Sequence, residues 1–443
     1  MTPTVLETCR PACEPEPARH ASPPRRDDRV VVTGIGCVTA LGVGVEPLRE
    51  SIVAGTSGIR PLDLPAPAAP SGAPRLAARL RDFVPGAFLE ANVLRRMDDV
   101  SRMAVAASSL ALSHAGLAEA SDRPPADRVG VIMGTSFAAA SNTDAFFCGI
   151  VDSGPARANP ILFPNTVPNA PTSLIAIHWG FKGPNTTFSQ KEVSGMDAVA
   201  YAMNLLAHRR ADVVLAGGGE EASDIMFRCF ARLGLLSPGR RGTGPVGLRP
   251  FDRTRNGLVL GEGAGVLVLE READARARGA TIWGVLAATV GGAAPCGPHE
   301  YDHSGRAWAV VMRQALAAAG VTGGDVAARG WVAATANGSR YLDAAEAHAI
   351  RGCFREQADE VAVSALKGMM GALHADGPLR IAAGLLSLRH GVIPPTVGLQ
   401  EVDPQCGGLD HVIGSARRRR VETVVVSAAA AGGAIRCLVL TAP

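Results

Sequence analysis

The stretch VVVTGIG at residues 30–36 is a short apolar run broken by glycine, which is typical of a strand buried on both faces. Apolar runs of the same kind recur at 129–133, 213–216, 266–269, 331–334, 361–363, 424–426 and 438–440. Alanine-rich stretches of helical character lie between them, at 102–115, 196–208, 306–319 and 378–389. Continuous apolar strands that alternate with helices predict an α/β architecture whose sheet is covered on both faces.

The order of these predicted elements repeats roughly once along the chain. The half that ends near Arg271 carries a strand–helix series similar to that of the half after Trp283. We therefore predict a duplicated α/β unit, with its halves at residues 29–282 and 283–443. Residues 1–28 are rich in Pro, Ala, Glu and Arg and have no apolar period, so we expect a disordered N-terminal segment.

Length and charge exclude several classes of protein. The chain has 443 residues, 47% of them hydrophobic, enough for two or three domain-sized cores. A formal net charge of +3 is small for this length and argues against nucleic acid or a membrane surface as a partner. No stretch approaches the about 20 uninterrupted apolar residues of a membrane span. The first 28 residues also lack the apolar core of a secretory signal.

The nine cysteines are scattered, and none forms a CxxC pair. Neither a zinc site nor a disulfide framework is indicated, and a reducing cytoplasm fits this pattern best. Residues 296–303 read CGPHEYDH, in which His299 and His303 have a spacing that can bind a metal on a helix. The neighbouring glycines and proline argue against a helix, so we predict a polar loop here. We expect no metal and no cofactor.

Seven groups of short motifs follow one another in a fixed order. They are VTGIG (32–36), GPN (183–185), SGMDA (194–198), ADVVLAGG (211–218), FD and GEGAG (251–265), KGMMG (367–371), and PPT and DP (394–404). In this order and at this spacing they resemble the β-ketoacyl-ACP synthase, or ketosynthase, family from about residue 29 to the C-terminus. The resemblance implies a thiolase fold, in which two similar halves stack into five layers, αβαβα, and which usually forms dimers.

The resemblance also implies a catalytic apparatus that this chain lacks. In active members a cysteine at a strand-to-helix turn carries the acyl chain, and two histidines help to decarboxylate malonyl-ACP. Here residues 189–197 read SQKEVSGMD, which places Glu192 at the cysteine position. Acylation of a carboxylate would give a mixed anhydride, which is higher in free energy than a thioester. Chain elongation by the usual route is therefore excluded, and we expect the chain to be inactive alone in Claisen condensation.

Neither family histidine is present. Asn337 lies near the first position, in a loop two residues shorter than the family's, and Ala372 follows KGMMG where the second is expected. His374 comes two positions later and should point elsewhere. The family's GFGG loop, with its phenylalanine, is replaced by AAAGG at 429–433.

Part of the family's supporting framework remains in the sequence. The resemblance pairs Lys367 with Glu346, and we expect this pair to be a buried tie between two loops rather than a catalytic pair.

A retained fold without its catalytic residues resembles the chain-length factor, or ketosynthase β-subunit, of type II polyketide synthases. Such a subunit pairs with an active ketosynthase and closes one end of the tunnel in which the chain grows, and the substrate arrives on an acyl carrier protein. A homodimer is the alternative to this heterodimer. Phe146, Phe147 and Ile150 lie in the segment that crosses the family's dimer interface. We consider them candidates for chain-length gating, with plain interface packing as the alternative.

Two other hypotheses for Glu192 stay open. It could be the general base of a repurposed condensation, cyclisation or acyl-transfer enzyme, with a pKa raised by burial. It could also fill the old pocket of a binding scaffold and pair with Lys191 or Lys367. Chain-length factors usually carry glutamine here, whose amide can donate to an enolate oxygen. An ionised Glu192, favoured at a helix start, cannot donate, so we predict that the isolated chain does not decarboxylate malonyl-ACP.

Two runs of arginine, at 417–420 and 240–241, stand out against the low net charge. Solvated turns are the favoured interpretation. The alternative is a landing site for an acidic carrier protein.

Overall fold

The computed structural model describes residues 29–62, 76–238 and 246–443. The segment 1–28 that was expected to be disordered, and the arginines at 240–241, lie outside the described residues.

The first half alternates strands and helices as predicted. Its strands are β1 (Val30–Thr39), β2 (Gly42–Val43), β3 (Arg60–Pro61), β4 (Leu76–Ala78), β5 (Val129–Gly134), β6 (Asn185–Phe188), β7 (Val213–Glu220), β8 (Leu260–Gly261) and β9 (Gly263–Arg271). Its helices are α1 (Val45–Ala54), α2 (Ala91–Leu94), α3 (Asp99–His114), α4 (Ala140–Ser153), α5 (Ala170–Trp179), α6 (Ser194–Ala207), α7 (Asp224–Leu233) and α8 (Glu272–Ala277).

The second half repeats the alternation. Its strands are β10 (Gly284–Ala293), β11 (Gly330–Ala334), β12 (Ala362–Ala365), β13 (Val392–Ile393), β14 (Asp410–His411), β15 (Arg417–Arg418), β16 (Thr423–Ala429) and β17 (Ala434–Thr441). Its helices are α9 (Arg306–Ala319), α10 (Gly323–Arg329), α11 (Arg340–Phe354), α12 (Lys367–Met370) and α13 (Gly377–His390).

The strand order confirms the predicted duplication. The first half pairs in the order β6–β5–β7–β9–β1, and the second in the order β12–β11–β16–β17–β10. If the five strands named in each half are numbered 1 to 5 along the chain, both orders are 3-2-4-5-1. The two sheets meet where Val30–Val32 of β1 pairs antiparallel with Gly284–Leu286 of β10. The boundaries at 29–282 and 283–443 stay a prediction.

Five layers result from this arrangement. Helices α3 and α5 cover the outer face of the first sheet, and α9 and α11 form the outer layer against the second. Helices α6 and α13 pack against each other between the two sheets, in a continuous buried core. The order αβαβα is that of the thiolase fold, which confirms the predicted fold class.

Close approach of helix to strand depends on small residues. A Cβ at Gly36 of β1 would lie 1.9 Å from the carbonyl oxygen of Ala107 in α3. The glycines of β1 and the alanines of α3 therefore let the two backbones almost touch. Over the part of the chain that the structure describes, no helix is long and apolar enough to cross a lipid bilayer.

Candidate functional site: a carboxylate at the start of the central helix

Glu192 lies in the short turn Lys191–Val193 between β6 and α6 and is only 4% exposed. The turn is sharp, because Lys191 adopts a left-handed conformation with φ 51° that non-glycine residues rarely adopt. Gly195 follows at the start of α6, where a Cβ would lie 2.6 Å from the carbonyl oxygen of Ala375. The backbone thus holds Glu192 at the N-terminus of the central helix, against the second half of the molecule.

Both carboxylate oxygens of Glu192 accept hydrogen bonds. The Tyr301 hydroxyl donates to Oε1 at 2.5 Å, and the backbone N–H of Ala431 donates to Oε2 at 3.3 Å. Burial, and then the charge of Glu192, raise the pKa of Tyr301 well above its usual value, so the phenol stays a donor. Tyr301 was not among the predicted site residues, because it is more than 100 residues from Glu192 in the sequence and no local motif marks it.

The lysines that were considered as partners of Glu192 have other contacts. Lys191 directs its Nζ to the carbonyl oxygens of Pro298 and Ala431, the latter at 2.9 Å. Lys367 contacts Thr335 and Asp376. The proposed pairing of Glu192 with a lysine is therefore wrong, and its partners are a phenol and a backbone amide.

Two loops meet over Glu192 and are bonded to each other. The Gly432 N–H donates to the Glu300 carbonyl at 2.9 Å, and the Ala294 N–H donates to the Gly433 carbonyl at 2.8 Å. The Lys191 ammonium bridges the same two loops. A cavity of about 10 Å³ remains beside Tyr301, which is about the space of one water molecule.

The loop at 296–303 is irregular, as its glycines and proline predicted. Among the described residues, no group of three or more His, Cys, Asp or Glu side chains is arranged to hold a metal ion.

Asn337, which was predicted to lie near the first missing histidine, forms part of a turn. Its Oδ1 accepts from the Ser339 N–H at 3.0 Å, and its own N–H donates to Asp343 at 2.9 Å. Ser339 then caps α11 by accepting from the Leu342 N–H. The amide oxygen of Asn337 is therefore engaged in shaping the shortened loop.

Ala372, which was predicted to lie near the second missing histidine, is buried and donates its N–H to the Val259 carbonyl at 2.7 Å. His374 packs edge-on against Phe137 and Phe230, with ring centroids 4.8 and 5.7 Å away. Burial lowers the pKa of His374, and the charge of Glu192 opposes this most strongly. The imidazole is thus mainly neutral at neutral pH and lies within the electrostatic reach of Glu192.

The predicted direct pair of Lys367 and Glu346 is wrong, because Thr335 stands between them. The Lys367 Nζ donates to Thr335 Oγ1 at 3.0 Å, and the Thr335 N–H donates to Glu346 Oε1 at 2.8 Å. Burial raises the pKa of Glu346 to about 8, so this carboxyl is mostly neutral at pH 7 and is a poor partner for a cation.

Asp376 supplies the charge that Lys367 needs. Its Oδ2 lies 3.6 Å from the Lys367 Nζ, and its Oδ1 accepts from Arg380 at 3.0 Å. All three side chains are almost completely buried. Asp376 was not among the predicted site residues, although its spacing of four from Arg380 on a helix was a usable signal.

Helix α4 carries the candidate tunnel residues, and all of its residues are at least partly exposed. Phe146 is half-buried, with its ring centroid 5.6 Å from Phe147 and 5.7 Å from Phe163. Ile150 is also half-buried, whereas Phe147 is 57% exposed. Other large apolar side chains are exposed on α4, on α5 and between them, namely Val151, Ile161, Phe163, Val167 and Ile177. We call this set, with Phe147, the apolar face.

The arginine run at 417–420 is held in different ways along its length. Arg417 bonds to Asp410, Arg419 to the carbonyls of Ala327 and Gly330, and Arg420 to Glu422. Arg417 and Arg418 form β15, which pairs with β13, and Arg419 is half-buried. The prediction of a solvated turn is therefore wrong for these three residues and fits only Arg420.

Known proteins resemble the chain over nearly its full length. Residues 27–275 match the family described as "Beta-ketoacyl synthase, N-terminal domain", and residues 286–400 match its C-terminal domain. A putative granaticin polyketide β-ketoacyl synthase 1 of Streptomyces violaceoruber is 35% identical, over 94% of this chain and 98% of that protein. The ketoacyl synthase alpha subunit of the tetracenomycin polyketide synthase, from Streptomyces glaucescens, is 34% identical, over 96% of this chain and 98% of that protein.

Solved structures agree with these relatives. The structure described as "the ishigamide ketosynthase/chain length factor" has a TM-score of 0.84 at 27% identity, covering 94% of this chain and 99% of that one. The structure of a type II PKS acyl-carrier protein in complex with its ketosynthase has a TM-score of 0.83 at 25% sequence identity, with the same coverage of both chains. Both the sequence matches and the five-layered architecture lead to one conclusion: the chain belongs to the β-ketoacyl synthase family.

Proposed function

We propose that this protein is a non-elongating ketosynthase-like subunit, a chain-length factor, that pairs with an active ketosynthase in type II polyketide biosynthesis. In this role it shapes the acyl tunnel while the partner carries out condensation on substrates brought by an acyl carrier protein. The protein would act in the cytoplasm and would need no cofactor.

One observation carries the proposal. The position at the N-terminus of α6 that needs a sulfur nucleophile holds Glu192, whose oxygens are both engaged by donors of the same chain. An acyl group has no thiolate to bind there, and Asn337 and Ala372 stand near the positions of the histidines that would act on malonate. The fold is intact around this site, so its remaining use is structural.

Two features of the surface favour binding to a partner subunit. Strand β6 is the last strand of the first sheet and leaves one of its edges unpaired within the described residues. The apolar face lies on α4, α5 and the segment between them. Exposed sheet edges and several exposed large apolar side chains are features of subunit interfaces. The partner is either an active ketosynthase or a second copy of this chain, and the missing nucleophile favours the ketosynthase.

The alternative, an acyl-processing enzyme with Glu192 as base, has less support. A general base needs an oxygen that is free to take a proton from substrate. Here Tyr301 and Ala431 donate to the two oxygens, so neither oxygen is free to accept a proton from a substrate. The loops bonded over Glu192 also leave little room for a substrate.

Co-expression tests the proposal. The full chain would be produced with a candidate active ketosynthase and an acyl carrier protein, and we expect co-purification in a 1:1 complex and products whose length depends on this chain. Variants at Phe146 and Ile150 should change that length. Intact-protein mass spectrometry during turnover should find acyl groups on the partner's cysteine.

Two results would contradict the proposal. One is a covalent acyl adduct on this chain during turnover without a companion protein. The other is loss of malonyl-ACP caused by the isolated chain and abolished in Glu192→Ala. The second result would favour the enzyme hypothesis instead.

A further inference from the structure

The start of helix α4 is held by a residue far away in the sequence. The N-cap residue of α4, Ala139, has no side chain that can accept a hydrogen bond, and helix starts leave backbone N–H groups that need acceptors. Glu221, directly after β7, supplies them. Its Oε1 accepts from the Ser141 N–H at 2.6 Å, and its Oε2 accepts from the Ser141 hydroxyl at 2.7 Å.

Helix α3 shows the local version of the same arrangement. Asp98, its own N-cap residue, accepts from the Ser101 N–H at 2.8 Å and from the Ser101 hydroxyl at 2.5 Å. Glu221 does for α4 what Asp98 does for α3, but across 80 residues of sequence. A cap of this kind satisfies the N–H groups at the start of the helix and also connects the helix to the sheet.

The rest of α4 is weakly held within this chain. Its residues are all partly exposed, and it packs on α7 and on the segment 155–165. The lead-in to the helix is fixed by the neighbouring carboxylate, because Glu220 accepts from the N–H groups of Ser136 and Phe137. Glu221 itself is only 8% exposed, so its bonds to Ser141 are shielded from competing water.

We propose that Glu221 is the positioning residue for α4, and that through α4 it sets where Phe146 and Ile150 stand in the acyl tunnel and hence the product length. The part of this inference that concerns product length rests on the proposed function. The part that concerns α4 rests on the contacts alone.

Hydrogen exchange of the full chain tests the contact. In Glu221→Ala, backbone amides of α4 should exchange about five- to tenfold faster, because a lost cap costs about that factor in local stability. The amides of α3 should not change. Glu221→Gln should stay close to wild type, since a glutamine can accept from the Ser141 N–H and donate to its hydroxyl.

Asp98→Ala is the matched control, and it should speed exchange at the start of α3 and leave α4 unchanged. Ser141→Ala removes one of the two bonds and should have a smaller effect on α4, which keeps the test open if Glu221→Ala folds poorly. Unchanged exchange of α4 in both Glu221→Ala and Ser141→Ala would overturn the inference. So would faster α4 exchange in Asp98→Ala that equals that of Glu221→Ala.

The product arm uses the complex with an active ketosynthase and an acyl carrier protein. Glu221→Ala should broaden the distribution of product lengths, and Glu221→Gln should not. Loosened α4 with unchanged product lengths would overturn the tunnel half of the inference. Failure of the wild-type chain to co-purify with any ketosynthase would count against the proposed function, while the exchange result would still decide whether Glu221 positions α4.

Discussion

Replacing Tyr301 by phenylalanine removes one of the two donors to the buried Glu192 and keeps the ring. A hydrogen bond to a charged group contributes about 1.5–3 kcal/mol, and a buried acceptor left short of a partner costs an amount of that order. We therefore expect Tyr301→Phe to lower the free energy of unfolding by about 2 kcal/mol. Urea denaturation should show this as a lower midpoint at an unchanged slope.

A double-mutant cycle separates this bond from general damage to the core. Tyr301→Phe, Glu192→Ala and the double variant should give a coupling energy of about 1.5–3 kcal/mol. The raised pKa of Tyr301 keeps its hydroxyl protonated, so the coupling should persist as the pH rises from 7 to about 9.

The control for this cycle is Tyr341→Phe, at a tyrosine that is mostly exposed. It should change stability by less than about 0.5 kcal/mol. Additive effects of the Tyr301 and Glu192 variants would refute the contact on which this account of the site depends.

Four further predictions concern the site, its supporting charges and the surface. A cysteine introduced as Glu192→Cys should react slowly with iodoacetamide. Adding Lys191→Ala should speed its alkylation, because the Lys191 ammonium no longer bridges the two loops over the site. Equal alkylation rates would contradict the view that Lys191 holds the loops closed. Asp376→Ala should cost about 3–5 kcal/mol in urea denaturation because it leaves two buried cations without their acid. Glu346→Gln should be at least as stable as wild type at pH 7. The pKa of Glu346 is raised from 4.5 to about 8 in the folded protein. The contribution of Glu346 to wild-type stability is therefore complete below about pH 4.5 and is lost as the pH rises through 8, so the stability of Glu346→Gln relative to wild type should increase over that range. A variant less stable than wild type at pH 7 would contradict a neutral Glu346. Phe147→Glu should weaken subunit association at least about tenfold by sedimentation and leave the melting temperature of the isolated chain nearly unchanged; unchanged association would remove the apolar face from the interface.

Much of the fold could be predicted because its signals are local. The run at 30–36 became β1, and the alanine-rich stretches at 306–319 and 378–389 became α9 and α13 within one residue. Strands buried on both faces must be apolar along their whole length, and this pattern can be read without knowing what covers them. Short or polar elements such as β6, with the sequence NTTF, carry no such signal and were missed.

The site could be predicted only in part. The position of Glu192 followed from an ungapped motif, because a strand-to-helix turn is a local feature. Its partners did not follow, since Tyr301 and Ala431 come from loops more than 100 residues away. The direct pair of Lys367 and Glu346 was wrong for another reason. Thr335 and Asp376 are close to them in sequence, but only the packing of the loops places Thr335 between the two side chains and Asp376 beside the lysine.

The sequence by itself determined the alternation of strands and helices and their duplicated order, since each element depends on the identity of residues in one short stretch. The prediction that the nucleophile is lost rests on one such stretch as well. Tertiary structure alone decided which groups satisfy the buried charges and what anchors α4. Those choices depend on distances of a few ångströms between side chains that meet only after the two halves have packed, and no local pattern encodes such distances.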